Sequence, residues 1–504
     1  MYKCNLYKLL RYTVSIVFIL FLLPMMGACD IRESKSVISV SGQSTFVEKE
    51  PPLDINKVSI VENKTVYEFD DNYSVVTMYL TVRRGSKGEN TDHSWDEINS
   101  YSSYYYEDLG IDKYQVEGIL QVGNENGPAV GELGYGVTVP NATVQIRGAT
   151  TSTMPQKSYK IRLMDDRGEW RGQRTIALNK HIFDSTRFRN KLAYDYIKQI
   201  SGMIGLRTQF VHLYVKDETK DNVKNAKFVD YGLFTQVEQP NKRFLKSHGL
   251  DQFGHLYKAN FFEFERYPDA IKLKTDPGYD EVKFGEYIEV KGNDDHSKLI
   301  SMIEDVNDYS LSIEEIFEKW FDEENYFTWL AFNILTGNVD TQNRNFYLYS
   351  PLNSNKWFFV AWDCDAMLYL HESLIRTDGK QSDRGFEEGI SNYWGVVLHK
   401  RVLTNANYRQ KLDDKIEELR KIITPEKTAE MITNYRKVVE KYALFMPDIM
   451  HLGVTKSQFN AICNAMPGEI EDNYNLYKEN LKKPMPFYSV SYTHLSYCYD
   501  GNST

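Results

Sequence analysis

The apolar residues of this chain change period along its length, and that change constrains the fold more than any other feature. SYKIRL (Ser158–Leu163) alternates, with Tyr159, Ile161 and Leu163 on one face and Lys160 and Arg162 on the other. The same strand signal runs through KYQVEGILQVG (Lys113–Gly123), VTVPNATVQIRG (Val137–Gly148), FVHLYV (Phe210–Val215) and YGLFTQVE (Tyr231–Glu238). Two more strands are predicted between Lys57 and Val82, in KVSIVENKTVYEF and YSVVTMYLTV. The polar stretch Arg83–Ser103 predicts a long loop, and Tyr101–Tyr106 a cluster of loop and packing residues. One helix, Asp184–Gly202, interrupts this half, with Asp184 or Ser185 as its cap.

Beyond about residue 310 the period becomes helical. Ser312 and Glu315 form a capping box ahead of Ile316, Phe317, Trp320 and Phe321. Glu323–Leu335 puts Phe327, Leu330, Ala331 and Ile334 on one face, and Gly337 supplies the stop. Further helices are predicted over Tyr408–Ile423, Pro425–Ala443 and Lys456–Ala465. A strand-rich half followed by a helical half predicts an α+β fold in two lobes.

The N-terminus is expected to be removed. Lys3, Lys8 and Arg11 precede TVSIVFILFLL, an apolar run too short to span a bilayer comfortably. MGAC (Met26–Cys29) follows and resembles a bacterial lipobox, in which Cys29 is acylated, although Met26 stands where Leu is usual. The alternative is an ordinary secretory signal with an incidental cysteine. Both predict export. The expected organisation is a signal peptide over 1–28, a tether over 29–55, a strand-rich region over 56–136, a main domain over 137–425 and a helical extension over 426–504. Cys364, Cys463 and Cys498 allow one disulfide at most, with no preferred pair. A net charge of −10 provides no basic field, so nucleic acid is not an expected partner.

The densest polar chemistry lies in GNVDTQNRNFYLY (Gly337–Tyr349). NFYLYS, the turn PLNSN and KWFFVAW predict a hairpin whose closing strand returns beside its opening strand. Asp363 then falls near Asn345, so Asp340, Asn345, Asp363 and Asp365 converge. Several carboxylates at one point repel and raise a pKa, and a hard cation such as Mg²⁺ or Mn²⁺ resolves the conflict. The order of Asp, Asn five positions later, hairpin and Asp is that of a protein-kinase active site, without its HRD and DFG triplets. Taken alone, Asp340 and Asn345 are ordinary turn residues and Lys160 is a solvated lysine. His181 and His399 have no partner at metal spacing and read as structural.

From about Val144 to Arg409 the chain resembles the CotH kinase family, atypical kinases named after the spore-coat protein H. The resemblance is carried by QIRGATTS, QKSYKIRL, IALNKHIFDSTRFRNKLAYDYI, GLFTQVEQPNKRFL, GHLYKA, GNVDTQNRNFYLY and AWDCD. It implies a bilobed kinase-like fold that binds ATP with Mg²⁺ or Mn²⁺ and phosphorylates Ser or Thr of secreted or coat proteins. By this resemblance Asp340 is the catalytic-loop Asp. Asp363 and Asn345 are metal ligands, and Asp365 is a further one. Lys160 neutralises phosphates, Arg147 and Gly148 precede a phosphate-facing loop, and Glu238 ends the strand leading to the adenine-facing linker. The helix at 184–202 has no Glu to pair with Lys160, which leaves Asp195 or Glu238 for that part. Two other functions stay open: a non-catalytic surface or spore-coat binding protein on a kinase-like scaffold, and a nucleotide-dependent transferase moving another group. The expected location is the cell envelope, lipid-anchored through Cys29, or the secreted fraction or spore coat.

Overall fold

The computed structural model of this protein describes residues 60–71, 73–220, 226–377 and 393–480. The expected signal segment, Cys29, the tether and Cys498 lie outside the described residues. Among the described residues no helix is long and apolar enough to cross a membrane.

Eight strands fill the first half: β1 Val75–Arg83, β2 Val116–Asn124, β3 Gly127–Pro128, β4 Ala142–Arg147, β5 Ser158–Leu163, β6 Thr175–Asn179, β7 Thr208–Asp217 and β8 Val229–Glu238. They form one sheet in the order β1-β7-β8-β6-β5-β4-β2-β3. β2 also pairs back onto β1, from Thr77 opposite Gly123 to Arg83 opposite Glu117. Seven strands therefore close into a ring that leaves no long open edge, with β3 hanging from β2. Only β1 and β7 run parallel. The inside is apolar, with Met78, Leu80, Val144, Ile161, Ile176 and Leu213 fully buried.

Register decides which side chains face away from that interior. Gln145 lies opposite Lys160 and Arg147 opposite Ser158, so Arg147 and Lys160 share the outer face. A slip by one residue would bury Lys160 and expose Ile161, forfeiting about 2 kcal/mol for each apolar side chain exchanged. The alternation in SYKIRL thus specifies the side on which Lys160 stands.

The polar stretch after β1 is not only loop. Helices α1 (Trp95–Ser100) and α2 (Ser103–Leu109) lie there, and Trp95, Ile98 and Tyr106 join the ring's core. SWDE carries the signal: Ser94 and Glu97 make a reciprocal capping box. Residues 60–69 form no strand. Asn63 caps a single 3₁₀ turn, Lys64–Tyr67, instead. The helix expected from Asp184 begins later, as α3 (Arg189–Ile197). Positive φ at His181 and Arg187 breaks the approach, and the Asp184 carboxylate takes the amides of Thr186 and Arg189.

The second half is mainly helical. Its helices are α4 Lys242–Ser247, α5 Glu281–Tyr287, α6 Ser297–Asn307, α7 Ile313–Trp320, α8 Glu323–Thr336, α9 Leu370–Arg376, α10 Val397–Thr404, α11 Ala406–Leu419, α12 Pro425–Ala443 and α13 Lys456–Asn480. The Ser312/Glu315 capping box opens α7. A small antiparallel sheet sits among the helices in the order β10-β9-β11-β12: Ile288–Val290, His255–Ala259, Phe346–Ser350 and Phe358–Ala361. A second core gathers around it, including Trp329, Phe346 and Phe359. Tyr435 and Val439 of α12 and Phe459 and Ile462 of α13 belong to that same core, so no separate core begins at residue 426. The fold is α+β with two apolar cores.

Candidate active site

α8 ends where Gly337 takes a left-handed conformation, φ 59°, and caps the helix. The turn that follows is pinned from inside. Buried Asn343 donates to Glu263 at 3.2 Å, and its carbonyl accepts the Phe262 amide at 2.7 Å. The His399 ring donates to the carbonyl of Gln342 at 3.2 Å. With Gln342 and Asn343 held inward, Asp340 is left exposed at the outer side.

The Asn345 side-chain amide donates to both the carbonyl and the carboxylate of Asp340, at 2.8 and 2.9 Å. The hairpin forms in the expected register, Phe346 opposite Ala361. One step further out, the Trp362 amide donates to the carbonyl of Asn345 at 3.2 Å, which sets Asp363 beside Asn345. Asn345 and Asp363 both have positive φ, 57° and 53°. Two such residues at one hairpin mouth store strain of a kind that clusters at functional sites.

A 3₁₀ turn, Cys364–Ala366, follows Asp363 and rests on α3, where Asn190 accepts the Cys364 amide at 3.2 Å. Burial, then the charge of Asp365, pushes the Asp363 carboxyl up to about 6. Arg147, Lys258 and His181 oppose that rise. His181 Nδ1 lies 3.4 Å from the Asp365 carboxylate, and its Nε2 is buried with no hydrogen-bond partner among the described residues. The histidine read as structural therefore adjoins the acidic pair.

Facing this pair is a cluster of cations. Lys160 and Arg147 come from the outer face of the ring, Lys258 from β9, Lys291 from just past β10 and Lys113 from just before β2. Their mutual fields record the proximity: Arg147 and Lys291 act on both Lys160 and Lys258, and Lys160 and Arg147 act on Lys113. Burial lowers the pKa of Lys113, Lys160 and Lys258, and like charges add to it. Lys291 pairs with Glu289. Among the described residues Lys113, Arg147, Lys160 and Lys258 form no ion pair within 4.0 Å, although all four are half-buried. Arg147 instead donates to Asn179 and stacks on Trp362, 5.8 Å from the ring centre.

Gly148 follows Arg147 with φ 87°, and a Cβ there would meet the Thr151 hydroxyl at 2.1 Å. Any other residue would be strained in that turn and would displace the Thr151 side chain. Gly148 opens the small-residue loop whose 3₁₀ turn spans Thr150–Thr153.

Glu238 is not presented to this site. Its buried carboxylate is held by the Arg207 guanidinium and amide and by the His248 ring at 3.0 Å. Burial alone would raise its pKa, but the charges of His248 and Arg207 outweigh it and hold the group at about 2. The next residue, Gln239, reaches the second sheet instead, donating to the Tyr347 hydroxyl at 3.0 Å. Asp195 is also spoken for, by Lys191, Lys198 and Tyr435. Neither acid pairs with Lys160. The carboxylate whose field reaches Lys160 is Glu289.

Lys113, Lys258, Glu289 and Lys291 were not singled out by sequence reasoning. Lys258 had a signal, as the charged residue inside the apolar run LYKA. The other three had none: Glu289 and Lys291 are near neighbours in sequence, but the cations they meet, like those around Lys113, come from distant segments.

The donor set suits an open cation site. Asp363, Asp365 and Asn345 offer oxygens, but among the described residues no three His, Cys, Asp or Glu groups gather closely enough to enclose a metal. Mg²⁺ keeps several waters and takes the rest of its ligands from one or two carboxylates and substrate phosphates, so few protein donors fit it.

Residues 144–476 match the family described as CotH kinase protein. The chain is also similar to the inner spore coat protein H of Bacillus subtilis (strain 168), 26% identical over 228 residues. That alignment covers 44% of this chain and 58% of the relative, so the chain spans less than two thirds of the relative's length.

Proposed function

This chain belongs to the CotH kinase protein family, and on that premise we propose that it is an ATP- and divalent-metal-dependent protein kinase. It transfers the γ-phosphate to Ser or Thr hydroxyls of secreted or coat proteins, on a bilobed kinase-like fold. The observation that carries this reading is the group of four half-buried cations that form no ion pair among the described residues, set against the acidic pair Asp363 and Asp365. Half-burying several like charges without a counter-ion is costly, so a site that keeps them suits an anion. A polyphosphate with its cation satisfies both halves.

Lys160, Arg147 and Lys258 neutralise phosphate oxygens, and the Gly148 loop lets backbone approach them. Asp363, Asp365 and Asn345 hold the divalent cation, which offsets phosphate charge when bound. Asp340, exposed and oriented by Asn345, positions the acceptor hydroxyl and takes its proton. Catalysis rests on positioning and charge neutralisation. Export and a lipid on Cys29 belong to the same proposal. Action before export, or inside a forming spore compartment, supplies the nucleotide.

The test is transfer of label from γ-labelled ATP, with Mg²⁺ or Mn²⁺, to a Ser-rich secreted protein, comparing the native chain with Asp363→Ala. Label that depends on Asp363 is expected. Equal or absent label in both overturns the proposal. Nucleotide binding without γ-transfer points to a transferase of another group.

A further inference from the structure

The family match begins at residue 144, yet the loop that follows Gly148 is held by residues well before it. The Ser103 hydroxyl donates to the carbonyl of Gly148, and the Ser103 amide donates to the Ser152 hydroxyl at 2.8 Å. Ser152 in turn donates to the carbonyl of Ala149. The Lys113 ammonium donates to the Ser103 hydroxyl at 2.6 Å. The hydroxyls of Tyr104 and Thr150 are hydrogen-bonded at 3.2 Å. From the other side, Lys157 donates to the carbonyl of Ser152 at 2.6 Å. Ser103 and Ser152 are both fully buried. Ser103, Ser152 and Lys157 are interior groups that would be left unsatisfied if their contacts broke, whereas the Tyr104–Thr150 contact lies at the surface.

We propose that Ser102–Lys113 is a brace for the loop Gly148–Thr153, with Ser103 as its positioning residue and Lys113 as both its anchor and an added cation of the phosphate site. The role of the loop rests on the kinase reading above. The brace itself does not. Three features lead to this assignment. Gly148 takes a positive φ that glycine adopts freely, and that same freedom means the loop needs outside contacts to stay in one conformation. Ser103 touches both ends of the loop's first turn, at Gly148 and Ser152. Lys113 stands in the fields of Arg147 and Lys160, so the anchor of the brace and the cations of the site form one electrostatic unit. The loop is thereby pre-organised before any ligand arrives, which removes an ordering cost from binding.

Two readouts on the full chain separate the possibilities. The first is amide hydrogen exchange of residues 148–153 in nucleotide-free protein, for the native chain, Ser103→Ala and Lys113→Met. Exchange at least about tenfold faster in both variants, with β4 and β5 unchanged, is expected. Unchanged loop exchange in the two variants overturns the brace. Global unfolding of Ser103→Ala would appear as faster exchange in β4 and β5, and Lys113→Met then decides. The second readout is binding of Mg²⁺ with inorganic tripolyphosphate, and KM against kcat for ATP. Tripolyphosphate affinity about tenfold weaker in Lys113→Met, with the KM for ATP raised to match and both rescued in part by Lys113→Arg, supports the added cation. Equal affinity in Lys113→Met and the native chain overturns that part. A faster-exchanging loop in a protein whose native form binds neither ligand supports the brace and overturns the kinase reading instead.

Discussion

The Trp362 amide donates to the carbonyl of Asn345 at 3.2 Å, and this one bond across the mouth of a hairpin sets Asp363 beside the Asn345–Asp340 pair. Residues 23 positions apart along the chain, Asp340 and Asp363, become parts of one site through that bond.

Asn345 combines strain with function. Its φ of 57° costs a side chain other than Gly, Asn or Asp roughly 1 kcal/mol. Asn345→Ala is expected to lose about 1–2 kcal/mol of stability, from strain and the lost bonds to Asp340. Asn345→Gly should recover the strain but not the activity. Chemical denaturation and label transfer on the two variants check this, and equal stability of the pair would contradict it.

Asp363 lowers the stability of the metal-free protein at neutral pH. Its folded pKa, about 6, lies above the ordinary value of 3.8, so the folded state keeps a proton that the unfolded state has released. Stability from this group therefore falls as pH rises from about 4 to about 6 and stays reduced above that window. Asp363→Asn should raise metal-free stability at pH 7.5 by on the order of 1–2 kcal/mol, with no gain at pH 4. Melting curves at the two pH values test it, and a loss of stability at pH 7.5 would refute it.

Lys160 and Lys258 should show opposite effects on stability and binding. Each is a half-buried ammonium whose pKa burial has lowered. Lys160→Met and Lys258→Met should leave the ligand-free protein unchanged or more stable by about 1 kcal/mol. Each should weaken nucleotide binding about tenfold or more. Calorimetric titration with Mg²⁺ and ATP, beside thermal melts, measures both.

His248 governs a pH dependence far from the chemistry. It bridges Glu62 at 2.8 Å and Glu238 at 3.0 Å. Burial lowers its pKa, but Glu238 and Glu62 outweigh that and raise it above 6.5. This stabilisation is complete below 6.5 and is lost as pH rises through the raised value, while Glu238 contributes above 4.5 and fails only near pH 2. His248→Gln should cost about 3 kcal/mol near pH 5.5 and less at pH 9. Denaturation at both pH values shows the difference, and a larger loss at pH 9 would refute the assignment.

Much of this was written in local pattern. SYKIRL fixes the outward side of Lys160 because a strand has a period of two, and no distant contact is needed to say so. GNVDTQNRNFYLY and AWDCD announce the hairpin, since a short turn between two apolar strands admits few registers. α12 starts and ends where Thr424, Pro425 and the apolar stripe place it. SWDE carried a capping box that the surrounding polar residues masked.

Only the tertiary structure decided the rest. β1 pairs with β7 and β2 across long separations, so ring closure leaves no mark on any one strand. Glu238 looks available in the chain, but Arg207 and His248 fold over it and neutralise it. Lys113, Arg147, Lys160 and Lys258 are four ordinary cations until four separate segments meet. Charge is a property of a residue, whereas whether it is compensated depends on what the fold brings within about 4 Å, and that is decided by packing.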